Sequence, residues 1–153
     1  MGRMVVSRAV LGLGALFLLM AQPACRTCDP QILEERLSPT GAQTAAVYRR
    51  ECGATAPFNI AVGLKAAATG ESLAEVLGMR DTPYEARVNW TSADALQIIV
   101  ECPFSDAESC APAKGRSWAI EKSRKWKNVS VSFDFGPKMR SWAPAEVLDA
   151  FKN

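Results

Sequence analysis

The chain has 153 residues, 48% of them hydrophobic and 22% charged, a length and composition suited to one globular domain. Its formal charge of +2 is too small for a dedicated nucleic-acid-binding domain. It contains no histidine, which excludes Ser-His-Asp and Cys-His nucleophile systems and every metal site that needs an imidazole ligand.

At the N-terminus, Arg3 and Arg8 form a basic start, and the run AVLGLGALFLLMA (Ala9 to Ala21) follows without a charge. A basic segment, an apolar stretch of ~7–15 residues and a small residue before the cut define a secretory signal. A bilayer-spanning helix needs ~20 uninterrupted apolar residues, and Arg8 breaks any longer count. Residues 1–24 are therefore expected to be a signal peptide. Its removal takes Arg3 and Arg8 with it and leaves basic and acidic residues equal in number.

The end of the leader resembles a bacterial lipoprotein signal, in which a small residue precedes a cysteine that becomes the lipid-modified first residue. Ala24 before Cys25 fits that pattern; Gln22, where a leucine-like residue is usual, and Pro23 depart from it. Two outcomes stay open: lipidation of Cys25, or ordinary cleavage close to it, which leaves a soluble periplasmic protein. The resemblance implies a membrane anchor at the periplasmic face of the outer membrane, because Arg26 rather than an aspartate would be the second mature residue.

Lipidation of Cys25 would leave Cys28, Cys52, Cys102 and Cys110, an even set suited to two disulfides in an oxidising compartment. Of three pairings, Cys28–Cys52 with Cys102–Cys110 is preferred. The first would pin the N-terminal segment to the fold, and the second would close CPFSDAESC at the end of a strand. A thioredoxin-like role for C-R-T-C (Cys25 to Cys28) is disfavoured, because such motifs belong beside a βαβ unit.

Residues 25–37 read as a polar tether with at most one helical turn at Ile32 to Leu37. Residues 38–153 read as a single β-rich domain. Ser38 to Gly41 (SPTG) is a turn. TAAVYRREC, from Thr44, and FNIAVGLK, from Phe58, make an antiparallel pair, the second with Phe58, Ile60, Val62 and Leu64 on one face. SLAEVLG looks like a short helix, with Ser72 as N-cap, Glu75 completing a capping box and Gly78 as its stop; an irregular loop is the alternative. ARVNW and ALQIIVEC form a second hairpin around TSAD. The run SWAIEKSRKWK is a strand or an exposed ribbon. VSVSFDFG (Val129 to Gly136) is the clearest strand, and APAEVLDAFKN suits a C-terminal helix with Pro144 near its first turn. The expected fold is β-rich α+β: an antiparallel sheet of five or six strands with one or two short helices.

Ser38, Pro39 and Gly41, then Cys52-Gly53-Ala54-Thr55, then Trp90 and Leu96 follow a pattern that resembles small exported bacterial proteins of unknown function. Thr40 stands where an acidic residue is usual. The likeness spans roughly residues 28–101. It implies a disulfide between Cys28 and Cys52 and carries over no catalytic residue.

The candidate partner-binding surface is KGRSWAIEKSRKWK with its sequel: Lys114, Arg116, Trp118, Lys122, Arg124, Lys125, Trp126, Lys127 and Trp142. Basic groups among indoles suit lipid headgroups, an anionic envelope polymer or an acidic partner protein. The competing reading is a solvated strand whose tryptophans fill the core. Asp81, Asp94, Asp106, Glu108 and Asp134 read as turn and surface carboxylates without a diagnostic acid–base spacing. Asn89 and Asn128 begin sequon matches of the kind that chance often supplies. No cofactor, metal or nucleic acid is expected. The expected role is non-enzymatic, either binding or structural, in a cell envelope.

Overall fold

A computed structural model of the chain describes residues 30–50, 59–112, 114–115 and 117–152. The expected signal peptide, Cys25, Cys28, Cys52 and Arg116 lie outside the described residues, and so does the Cys28–Cys52 pairing.

Among the described residues, nine strands form two sheets. The first is made of β1 (Pro30–Leu37), β2 (Gln43–Arg50), β3 (Asn59–Ala66), β4 (Ala74–Arg80) and β7 (Ala119–Lys122), in the order β1-β2-β3-β4-β7. All its pairs are antiparallel. The second sheet, in the order β5-β6-β9-β8, contains β5 (Glu85–Ser92), β6 (Ala95–Glu101), β8 (Lys125–Trp126) and β9 (Val129–Phe135). Here β6 and β9 run parallel, and the other two pairs are antiparallel. Two helices follow β9 among the described residues, α1 (Pro137–Trp142) and α2 (Ala145–Lys152).

Alternation decides which face of each strand is covered. In β3, Ile60, Val62 and Leu64 point inward; in β6, Leu96, Ile98 and Val100 do. These meet Ala45 and Val47 of β2, Leu77 and Met79 of β4, Ala86 and Val88 of β5, and Val129 and Val131 of β9 in one apolar core between the sheets. Phe151 of α2 seals one end, its ring edge-on to Phe135 at 5.4 Å and tilted against Phe133 at 5.9 Å.

The β-rich α+β class is as expected, with both hairpins and the C-terminal helix. The detail differs in four places. The segment read as a tether, residues 30–37, is the edge strand β1, paired with β2 along its length. Its two faces are both largely exposed, so it has no alternation to betray it. The segment read as a helix with Ser72 as N-cap contains strand β4, held between β3 and β7. A bulge opposite Val62 and Gly63 buries Val76 and Leu77 in succession, with Met79 two residues on, which imitates helical spacing. The run from Ser117 to Lys127 is divided between the sheets. Ser123 donates its N–H to Val76 of β4, and Arg124 accepts from Val131 of β9, so the chain changes sheet within two residues. Finally, the described residues form nine strands in two sheets rather than five or six in one; besides β1 and β4, the edge strands β7 and β8 are too short to carry a periodic signal.

The Cys102–Cys110 disulfide is present, with Cα atoms 5.8 Å apart, and closes the loop after β6 as expected. Both cysteines are buried, and the Tyr84 hydroxyl donates to the Cys110 carbonyl at 2.9 Å.

Candidate functional site

The basic, tryptophan-containing stretch is dispersed by the fold. Lys114 is exposed in a turn, and Trp118 packs half-buried against the core just before β7. Lys122 and Arg124 turn to the C-terminal end of α2. Lys122 Nζ donates to the Ala150 carbonyl, and Arg124 donates to the carbonyls of Phe151 and Lys152, both at 2.9 Å. These are carbonyls that the helix cannot satisfy itself, at the end where a cation is favoured. Arg124 also lies over the Phe133 ring at 5.8 Å. Partial burial, with Arg124 nearby, holds the Lys122 pKa below the usual lysine value. Lys127 pairs with Glu71 at 3.1 Å and sits 4.7 Å from the Trp126 ring centre. Trp126 and Trp142 are half-buried against the core, the latter beneath Lys138. Lys125 is exposed on β8. Three of the cations thus have partners within the chain, and the tryptophans are partly buried against the core.

The carboxylates singled out in the sequence do not converge. Asp94 accepts from the Ser92 hydroxyl, and Asp106 from the Ser109 N–H at 2.8 Å. That backbone bond holds the Asp106 carboxyl below its ordinary pKa. Asp134 is depressed chiefly by the Phe135 N–H and then by Arg140, 2.7 Å away. Asp81 sits in a turn with a left-handed backbone. Among the described residues, no cluster of cysteine or carboxylate side chains is placed to hold a metal ion, and no helix is long and apolar enough to cross a membrane.

A polar site that sequence reading missed lies on the outer face of the five-stranded sheet. Tyr48, Ala61, Gly78 and Glu121 are register partners in turn across β2, β3, β4 and β7. Ala61 and Gly78 have almost no side chain, so the middle of this row is a depression. Arg50, Glu75, Arg80, Ala119 and Glu121 surround it, enclosing about 150 Å³. The bulge in β4 brings Glu75 onto the same face as Gly78. Its Oε1 occupies the place that a Cβ on residue 78 would need, so glycine there lets the carboxylate lie flat. Glu75 Oε2 accepts from the Tyr48 hydroxyl and from Arg50, each at 3.0 Å. Arg50 also donates to the Tyr48 hydroxyl at 3.2 Å and stacks 5.3 Å from the ring centre. Tyr48 is 1% exposed; burial, and then the Glu75 charge, push its pKa up to about 12. The phenol is therefore a fixed hydrogen-bond donor at neutral pH.

The signal for this site was partly visible. Alternation in FNIAVGLK puts Ala61 and Gly63 on the polar face, yet nothing in one sequence says which strands lie beside them.

No protein-family model matches this chain, and neither a curated protein nor a solved structure matches it. The functional reading therefore rests on the residues themselves.

Proposed function

We propose that the chain is a cell-envelope lipoprotein, anchored through Cys25 at the periplasmic face of the outer membrane, with a non-enzymatic binding or structural accessory role. The observation that carries this reading is Cys25 directly behind a secretory leader, in a chain whose Cys102–Cys110 pair forms a disulfide. The likeness to small exported bacterial proteins points the same way. The non-enzymatic part draws support from the absence of histidine and from Asp106 and Asp134 being committed to a turn and to an arginine.

A second reading is a soluble periplasmic binding or inhibitor module that recognises a partner protein through residues 114–142. Gln22 in the leader favours it, because it weakens the lipidation pattern.

The intact mass of the mature protein separates the two. Extracted from membranes, it should carry acyl and diacylglyceryl mass on Cys25, and Cys25→Ala should move it into the soluble fraction. An unmodified N-terminus near Cys25 would remove the anchor and leave the soluble reading.

A further inference from the structure

The depression over Ala61 and Gly78 has wall charges that no other described residue neutralises. Arg50 and Glu75 are joined to each other and to Tyr48. Arg80 and Glu121, by contrast, make no hydrogen bond or ion pair among the described residues, although both border the same pocket. They are diagonal neighbours across the β4–β7 pair, because Gly78 faces Glu121 and Arg80 faces Ala119. Diagonal positions on one sheet face are about 7–8 Å apart, room for a small group between the two charges. Glu75 contributes one more acceptor. Its Oε2 is taken by Tyr48 and Arg50, while Oε1 rests over Gly78 with no hydrogen bond among the described residues.

The pocket therefore offers two carboxylates flanking Gly78 and a guanidinium two residues along β4. Among the described residues, with Arg50 counted, its wall carries no net charge, so a lone anion or a lone cation would leave one sign unmet. Its volume, about 150 Å³, is at the scale of a benzene-sized cavity and below that of a typical drug-sized ligand site. It takes a head group of a few heavy atoms, with any longer substituent leaving through the open mouth.

We propose that this pocket binds the head of a small primary-ammonium zwitterion, of which a free α-amino acid is the simplest. The ammonium sits between Glu121 and Glu75 Oε1, which itself lies over Gly78, and the carboxylate meets Arg80. A buried Tyr48 and the Arg50 pair hold Glu75 in place beneath it. The inference rests on the reading of the chain as a binding module and names the ligand class that such a module would take.

The test is binding of L-alanine to the mature protein purified from its own membrane or soluble fraction, followed by amide chemical shifts. Glycine betaine, which has no N–H donors, acetate and methylammonium serve as probes of each half. The expected result is a saturable shift at Ala61, Gly78 and Glu121 with L-alanine and none with the three others at the same concentration. Arg80→Gln and Glu121→Gln lie on the exposed rim, so both should keep the melting temperature while weakening L-alanine binding about tenfold or more. Gly78→Ala, which puts a methyl where Glu75 Oε1 rests, should abolish it. Absence of a shift with L-alanine overturns the inference; so does equal binding of acetate or methylammonium, or binding that the two rim variants leave intact. The mass of the same preparation reports the anchor independently. A lipidated protein that ignores L-alanine defeats the ligand assignment alone, and an unlipidated one that binds it defeats the anchor alone.

Discussion

Tyr48 and Tyr84 are the two tyrosines of the chain, and each is 1% exposed. Burial is the main cause that lifts both pKa values to about 12, with Glu75 adding to the first and Glu146 to the second. A phenol whose pKa is higher in the folded state than in the unfolded one stabilises the fold in its neutral form. That contribution is complete below pH ~10, the unfolded value, and is lost as pH rises from there through the folded value. Phenolate absorbance should therefore stay near zero at pH 10, where an exposed tyrosine is half ionised, and appear near pH 12 together with loss of the fold. A normal titration at pH 10 would show that neither hydroxyl is held as described. Glu75 shows what one sequence conceals at this scale. Ser72 and Glu75 have the spacing of a capping box, yet the carboxylate is a sheet-face group bound to Tyr48, 27 residues earlier. Local pattern and long-range partner compete for the same side chain, and only the partner's position decides.

The C-terminal helix α2 was legible because Val147 and Phe151 recur at helical spacing and Pro144 precedes the first turn. What fixes it to the sheets was not legible. The run 114–127 looked like a ligand surface, but Lys122 and Arg124 are the groups that reach the last carbonyls of α2. A cation at a helix C-terminus contributes ~0.3–1 kcal/mol when exposed. Phe151, at 1% exposure and packed on Phe133 and Phe135, contributes far more. Urea unfolding should thus show a loss of about 1 kcal/mol for Arg124→Gln and ~3–5 kcal/mol for Phe151→Ala. If Arg124→Gln costs nothing and instead abolishes binding to a partner or to anionic envelope material, the dispersed stretch is a ligand surface after all. Strands β1 and β4 escaped the sequence for opposite reasons. β1 is exposed on both faces, so alternation has nothing to report, whereas the bulge in β4 scrambles an alternation that is present. Gly63, opposite that bulge, shows how tight the region is, since a Cβ there would stand 2.8 Å from Leu73 Cβ and 3.2 Å from the Tyr48 ring.

The last third of the chain binds the two sheets into one body. After β6 the chain closes the disulfide loop, adds β7 to the five-stranded sheet, crosses at Ser123 and Arg124, and returns as β8 and β9 to the other. A parallel β6–β9 pair requires a long connection of this kind, and here the connection itself is a strand of the facing sheet. Neither sheet can then open without removing a strand from its partner, and both share one core. The four tryptophans report on the whole of this arrangement: Trp90 on β5, Trp118 beside β7, Trp126 on β8 and Trp142 at the end of α1. Chemical unfolding should accordingly follow a single transition, with far-UV circular dichroism and tryptophan fluorescence superimposing. Removing the disulfide through Cys102→Ala with Cys110→Ala should shift both curves together. By chain entropy a loop of this length is worth ~2.5 kcal/mol. If the two signals separated, or if only fluorescence moved, the sheets would be unfolding independently and the crossing at Ser123 and Arg124 would not be what couples them.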